Sequence, residues 1–204
     1  TAKAADSTNR IYTLARIMDY IGHAKQEYVL LMDSNFVCNM DLKKLFKFHS
    51  EKNADITLAY CTGKEPKLQN TAVIDLDSDS KVTTVGIDVK TSADVNYLAN
   101  VILIRKSLLE RLIGDAQSYA YTSFEKDIIQ KNVATLNIYG YKVEEWNCTI
   151  DSIETFFDAN MALLEKANRG ELFNSARPVY TKVRDDMPVV YGISSNCKNS
   201  LVAD

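Results

Sequence analysis

The residues with the clearest chemical potential are Asp33, Ser34 and Asn35, which follow a run of five apolar residues, Tyr28–Met32. The run is too short for a helix and predicts a strand that is buried on both faces. In open α/β sheets, ligands bind beyond the carboxyl ends of the strands. The three polar side chains therefore stand where such a sheet would bind a ligand, although the same residue types also form ordinary turns.

The elements around this loop predict how it is held. Asp41 occupies a position typical of a helix N-cap, and apolar residues recur at helical spacing from Leu42 to His49. Residues 54–62 are β-rich and predict the neighbouring parallel strand. The two strands and the helix between them would then form a right-handed βαβ unit.

The rest of the chain predicts further elements of one α/β domain with a mixed, mostly parallel sheet flanked by helices. Strands 28–32 and 97–104 are expected at its centre. Further strands are expected at residues 71–76 and 81–87, as a hairpin, and at 135–139 and 142–146, as a second hairpin or a bend around Gly140. Helices are expected from an N-cap among residues 6–9 to Gly22, through Leu108 to Gly114, over 121–131, and from Ser152 to Gly170, with Phe156 and Phe157 in the core.

Composition excludes several functional classes. The chain has 204 residues, of which 46% are apolar and 25% charged, so it can bury a sizeable core. Its net charge is −3 and it has no basic run, which argues against nucleic acid and membrane surfaces as partners. The four cysteines are scattered without metal-ligand spacing and are expected to be free thiols in a cytoplasmic protein.

The character of the sequence changes after Gly170. Residues 177–183 and 187–191 are extended, proline-containing stretches without helical periodicity, and they predict a linker. The final residues, 199–204, fit one turn of a hexapeptide-repeat left-handed β-helix. Residues 171–204 are therefore expected to be a linker followed by the start of a second domain.

Several stretches in the same order resemble one enzyme family, the glucose-1-phosphate adenylyltransferases (ADP-glucose pyrophosphorylases). Met40 and Asp41 match the Met-Asp of that family's Gly-Asp-His-Ile-Tyr-Lys-Met-Asp-Tyr strand end. Residues 54–59 match its Ala-Asp-Val-Thr-Ile-Ala strand, and residues 124–129 its Phe-Gly-Lys-Asp-Ile-Ile helix start. Residues 158–164 match its Glu-Ala-Asn-Met-Asp-Leu-Leu helix end. The resemblance implies a nucleotide-diphospho-sugar transferase-like fold for residues 1–170, lacking the family's N-terminal nucleotide-binding loop.

The site residues of that family differ in this chain. The resemblance implies that Asn35 and Thr149 stand where active members carry the two aspartates that bind magnesium. Lys90 matches the lysine of the sugar-phosphate loop, and Asn100 lies on the strand that lines the glucose phosphate site. Lys90 and Asn100 are weak candidates for substrate binding, and neither a metal ion nor another cofactor is expected in this chain.

The combination of matching framework and altered site implies a function. It resembles the non-catalytic, regulatory-type subunit of bacterial glycogen biosynthesis, which would assemble with an active subunit into a hetero-oligomer and would bind sugar phosphate weakly or not at all. Two alternatives remain open. The chain could be an active sugar-1-phosphate nucleotidyltransferase in which Asp33 or another carboxylate replaces the lost metal ligand, or an α/β interaction domain with a vestigial cleft.

Overall fold

The computed structural model describes residues 9–63, 71–89, 93–180, 192–196 and 198, and it has an α/β architecture with a six-stranded mixed sheet and a two-stranded ribbon. The strands are β1 (Tyr28–Met32), β2 (Phe36–Cys38), β3 (Ile56–Gly63), β4 (Ala72–Leu76), β5 (Val82–Ile87), β6 (Val95–Arg105), β7 (Ile138–Lys142) and β8 (Asn147–Thr149). The helices are α1 (Arg10–Arg16), α2 (Met18–His23), α3 (Leu42–Glu51), α4 (Lys106–Ser118), α5 (Ile153–Ala162) and α6 (Lys166–Leu172), together with a π-helix, Phe124–Gln130.

Strand β6 is the centre of the large sheet, as predicted for residues 97–104. It pairs antiparallel with β3 on one side, and with β1 and one residue of β4 on the other. The hairpin of β4 and β5 extends the sheet at one edge, and β7 extends it beyond β3. Within the described residues only β3 and β7 pair in parallel. The predicted mostly parallel sheet is therefore wrong, because the sheet is mostly antiparallel.

The predicted βαβ unit is also wrong in its pairing. Strands β1 and β3 run in the same direction, but β6 lies between them. Strand β1 has no partner on its other side among the described residues, so it is half-buried and Met32 is 47% exposed. An apolar run of five residues indicated a strand correctly, but it did not distinguish a sheet edge from a sheet centre.

The second predicted hairpin is a single strand. Residues 138–142 form β7, with Gly140 inside the strand instead of at a turn. A Cβ atom on Gly140 would lie 2.7 Å from a Leu76 methyl carbon and 3.1 Å from the Tyr60 ring. The glycine is there because β7 packs closely on its neighbours. Residues 147–149 pair instead with β2, a strand that the sequence did not indicate.

Several helices differ in extent from their predictions. The first predicted helix is divided at Ile17 into α1 and α2, and the helix predicted over residues 121–131 is the π-helix Phe124–Gln130. Helix α4 continues through Gly114 to Ser118, and the Gly114 position faces open space. The long helix predicted from Ser152 to Gly170 is divided into α5 and α6. On α5 the predicted core residues Phe156 and Phe157 are 56% and 60% exposed. Ile153 and Met161 of the same helix are also exposed, so α5 presents large apolar side chains to solvent.

Alternating residues of the central strands build two cores, one on each face of the sheet. Leu58, Ile102 and Ile104 belong to one core, which α1, α2, α4 and the π-helix cover. Ala59, Val101 and Leu103 belong to the other, which includes Leu45 of α3. Helices therefore flank both faces, as predicted.

The segment that follows α6 stays attached to the ribbon. Asn39 donates from Nδ2 to the carbonyl oxygens of Leu172 and Arg177 at 2.7 and 2.8 Å. Arg177 also forms ion pairs with Asp41 and Glu145 at 3.5 and 3.8 Å. Residues 181–191 and 199–204 lie outside the described residues, so the predicted linker and β-helix turn remain predictions. No helix in the described ranges has the length and apolar character needed to span a bilayer.

A buried histidine lies beside β3. His49 is 2% exposed, and its Nδ1 is 2.7 Å from the Thr57 hydroxyl oxygen. Its ring meets the Tyr28 ring edge to face with a centroid distance of 5.4 Å. Burial lowers the pKa of His49 below its usual 6.5, and the nearby Arg105 lowers this pKa further. The neutral imidazole is therefore the form that the folded state favours.

This burial predicts a pH-dependent stability. Because the folded-state pKa is the lower one, His49 contributes its full stability above pH 6.5 and less as the pH falls below that value. As the pH is lowered from about 6.5 to about 5, the unfolding free energy of a His49→Gln variant should fall less than that of the unsubstituted protein. Urea denaturation at a series of pH values and fixed ionic strength measures the slope of the unfolding free energy against pH for each protein. Equal slopes in the two proteins would contradict this prediction.

Candidate functional site

A cleft of about 690 Å³ opens at the carboxyl end of β1. The end of β1 with Asp33 and Ser34 forms one wall, and α1 forms a second. The segment from Thr122 to Glu125 forms the remaining wall of the cleft, together with Asn100. The site is thus at the edge of the sheet where the sequence predicted ligand binding, with Asp33 in its wall.

Asn100 belongs to this cleft because of a break in the pairing of β6. The register between β3 and β6 shifts between Leu58 and Tyr60, and Asn100 has a φ of +55°. Such a bulge re-aims a side chain from its regular direction. Asn100 lines both the large cleft and a small adjoining pocket that contains Asn35 and Thr149.

The ribbon brings the two predicted metal positions together. In β2 and β8, Phe36 pairs with Thr149, and the Ile150 amide donates to the Asn35 carbonyl oxygen at 2.8 Å. Asn35 and Thr149 are far apart in the chain but lie beside each other in the structure. The sequence motifs predicted this meeting, but they did not predict the ribbon that produces it.

Asp33 is already paired with a cation. Its Oδ1 accepts from a terminal nitrogen of Arg10 at 2.6 Å. The other terminal nitrogen of Arg10 donates to Oε1 of Glu125 at 3.0 Å. The guanidinium group also lies 5.5 Å from the centre of the Phe124 ring. Arg10 and Glu125 are two site residues that sequence reasoning missed.

The N-terminus of α1 positions Arg10. Asn9 is the N-cap of α1, and its side-chain oxygen accepts from the Tyr12 amide at 3.3 Å. Its side-chain nitrogen donates to the Thr122 carbonyl oxygen at 2.8 Å. One asparagine therefore starts the helix and ties it to the opposite wall of the cleft. Asn9 was among the predicted caps, but its bond to the Thr122 carbonyl oxygen joins residues 113 positions apart, and no local pattern indicates it.

The side chains of the cleft and of the adjoining pocket do not fit a magnesium ion. Magnesium prefers several hard oxygen ligands that include one or two free carboxylates. Asn35 and Thr149 supply an amide and a hydroxyl, and both Asp33 and Glu125 are bound to Arg10. Within the described ranges, no three His, Cys, Asp or Glu residues are arranged to hold a metal ion. Lys90, the predicted phosphate contact, lies outside the described residues.

The thiols near the ribbon are unsuited to nucleophilic chemistry. Cys38, Cys61 and Cys148 are free, as predicted, while Cys197 lies outside the described residues. Burial raises the pKa of Cys38 to about 12 and that of Cys61 to about 11. A thiol with so high a pKa is protonated near neutral pH, and the thiolate is the reactive form.

The chain is similar to curated proteins of the family that its motifs resemble. It is 25% identical over 187 residues to the glycogen biosynthesis protein GlgD of Bacillus subtilis (strain 168), covering 92% of this chain and 45% of that protein. It is 27% identical, with the same coverage, to GlgD of Geobacillus stearothermophilus. It is 24% identical over 193 residues to the glucose-1-phosphate adenylyltransferase of Clostridioides difficile (strain 630), covering 92% of this chain and 50% of that protein.

These relatives confirm the resemblance that the motifs predicted. No family model matches the chain. The chain spans about half the length of the curated relatives that it matches.

The positive φ of Asn100 gives a prediction about the cleft. A Cβ atom in the left-handed region costs roughly 1–2 kcal/mol, and asparagine offsets part of this cost by local hydrogen bonding. An Asn100→Ala variant should therefore lose about 1 kcal/mol of unfolding free energy, and Asn100→Gly should stay close to the unsubstituted protein. Chemical denaturation of the two variants and of the unsubstituted protein measures these differences. An Asn100→Ala protein as stable as Asn100→Gly would refute the argument.

Proposed function

We propose that the chain is part of a non-catalytic, regulatory-type subunit of a glucose-1-phosphate adenylyltransferase in bacterial glycogen biosynthesis. The enzyme reaction is the formation of ADP-glucose and pyrophosphate from ATP and glucose 1-phosphate. One observation carries the proposal. Asn35 and Thr149 lie beside each other on the ribbon, where the resemblance implies the two magnesium aspartates.

The chemistry explains why these two residues matter. Nucleotidyl transfer brings the phosphate of glucose 1-phosphate against the α-phosphate of ATP, and these two anions need a divalent cation between them. An amide at Asn35 and a hydroxyl at Thr149 remove two negative charges from the ligands of that cation. Metal polarisation contributes several kcal/mol to transition-state stabilisation, so its loss should lower the rate by at least ~10³.

The similar proteins support a role in glycogen biosynthesis and a relation to glucose-1-phosphate adenylyltransferases. They include proteins named for glycogen biosynthesis and proteins named as glucose-1-phosphate adenylyltransferases. A chain with the framework of the enzyme and a neutral metal site can act by assembly with an active subunit. The partner that we propose is therefore an active adenylyltransferase subunit in a cytoplasmic hetero-oligomer, with weak sugar-phosphate binding as the most that the cleft retains.

The alternative of an active enzyme depends on Asp33. Asp33 lies two residues before Asn35, and a turn in which the Phe36 amide donates to the Asp33 carbonyl oxygen at 3.5 Å lies between the two strands. Its carboxylate forms a 2.6 Å ion pair with Arg10. A metal ion would have to displace this guanidinium before Asp33 could act as a ligand, and this requirement weighs against the active-enzyme alternative.

An activity assay with the full-length protein tests the proposal. Purified alone, it should form ADP-glucose from ATP and glucose 1-phosphate at the background rate, with or without magnesium, because the metal site is neutral. Added to an active adenylyltransferase subunit, it should change the KM, the kcat or the effector response of that subunit. Robust magnesium-dependent synthesis by the protein alone would refute the proposal. No effect on the active subunit would favour the vestigial interaction domain.

Restoring the carboxylates should recover metal binding before it recovers turnover. In an Asn35→Asp/Thr149→Asp double variant of the full-length protein, two carboxylates would meet on the ribbon and should bind Mn²⁺ more tightly. Turnover should remain low, because Leu98 and Asn100 still replace the serine and glycine of the family's sugar pocket.

Calorimetric titration with Mn²⁺ measures this gain. The matched control is Thr83→Asp/Asn160→Asp, which adds the same charge at exposed positions on β5 and α5. A gain in affinity that is equal in the two double variants would show a general charge effect and would contradict the assignment of Asn35 and Thr149.

A further inference from the structure

Arg10 occupies an unusual position for an arginine at the first turn of a helix. Its side chain is only 17% exposed and bridges two carboxylates from distant parts of the chain. Asp33 follows β1, and Glu125 lies in the first turn of the π-helix. The guanidinium group therefore crosses the cleft and joins its two acidic walls.

The charges of this cluster are not balanced. One guanidinium faces two carboxylates, and Glu125 is only 12% exposed. Two carboxylates that share one guanidinium repel each other, and the cation between them lowers the free energy of the folded protein. In many metal sites a divalent ion supplies that cation, with carboxylate oxygens as ligands. Here a side chain of the protein supplies it.

We infer that Arg10 is a built-in cation of the cleft, which holds Asp33 and Glu125 together and keeps them unavailable to a divalent metal ion. This inference rests on the proposed function, and it extends it. Asn35 and Thr149 in the adjoining pocket are neutral, and Arg10 in the cleft adds a positive charge that also opposes metal binding.

Two further contacts hold the guanidinium group in place. It lies over the Phe124 ring, where the π electrons favour a cation. Asn9 ties the start of α1 to the Thr122 carbonyl oxygen, so the backbone that carries Arg10 is fixed to the same wall as Glu125. A divalent ion from solution must shed water to bind and must also displace a tethered group, so Arg10 has the advantage of effective concentration.

Removal of the guanidinium tests the inference. In an Arg10→Met variant of the full-length protein, Asp33 and Glu125 would face each other without a cation. The variant should bind Mn²⁺ at least about tenfold more tightly than the unsubstituted protein, as measured by the loss of the free-ion electron paramagnetic resonance signal. Adding Glu125→Gln to Arg10→Met should abolish the gain, because one of the two carboxylates is then neutral.

Two control variants separate charge from packing. Arg16→Met removes an arginine from the same helix whose described contact is with the Tyr12 ring, and it should not change Mn²⁺ binding. Arg10→Lys keeps a cation at the site and should also bind Mn²⁺ no more tightly than the unsubstituted protein. Equal gains in Arg10→Met and Arg10→Lys, or no gain in a folded Arg10→Met protein, would overturn the inference.

A second measurement covers the case in which Arg10→Met does not fold. In the otherwise unsubstituted protein, Asp33→Asn should leave Mn²⁺ binding unchanged, since Asp33 is bound to Arg10 and not to metal. Weaker Mn²⁺ binding in Asp33→Asn would overturn the inference.

The activity assay remains a separate test. Magnesium-dependent ADP-glucose synthesis by the unsubstituted protein would refute the proposed function, whereas the Mn²⁺ results for Arg10 variants bear on this inference alone.

Discussion

The antiparallel pairing of β6 with strands on both of its sides determines where the candidate site lies. Its pairing with β1 sets the point along the sheet at which β1 ends and Asp33 and Ser34 follow. Its pairing with β3 contains the register shift that turns Asn100 toward the cleft. Because Val101, Ile102, Leu103 and Ile104 are buried on alternate faces, a slip of one residue in β6 would exchange the two cores. The site geometry is therefore as strongly specified as the core.

The electrostatics of the site agree with the proposed non-catalytic role. At the ribbon, Asn35 and Thr149 offer neutral oxygen atoms where the resemblance implies carboxylates. In the cleft, the carboxylates of Asp33 and Glu125 are present but bound to Arg10. These two features lie on different elements, and each by itself opposes the assembly of a magnesium ion between two phosphates. The proposed regulatory role needs the framework for assembly and does not need the metal.

The sequence predicted the local elements better than their pairing. Hydrophobic periodicity and turn residues identified β1, β3, β6, the β4–β5 hairpin and the cap of α3 at Asp41, because these signals are local. The mostly parallel sheet was wrong because a strand, helix, strand order does not show that a later strand, β6, lies between the first two. Gly140 was read as a turn because the sequence does not show that its neighbours leave no room for a side chain.

The residues of the candidate site were also predicted only in part. Motif positions identified Asn35, Thr149 and Asn100, which the structure brings to one pocket. Arg10 and Glu125 were missed because their contacts join residues 115 positions apart, and no local pattern marks a long-range ion pair. The position of Arg10 is unusual, however, because it is the first residue of a helix, and the N-terminus of a helix favours negative charge. A cation there needs acidic partners from elsewhere in the fold.

A crystal structure of the full-length protein, grown with ATP and Mn²⁺, tests the central claim that this cleft is built without a metal site. The anomalous scattering of manganese locates the ion directly, whatever the activity of the sample. The account predicts no anomalous peak within bonding distance of Asn35, Thr149, Asp33 or Glu125, with Arg10 still bridging the two carboxylates. A manganese ion bound to Asp33 or Glu125, with Arg10 displaced, would contradict it.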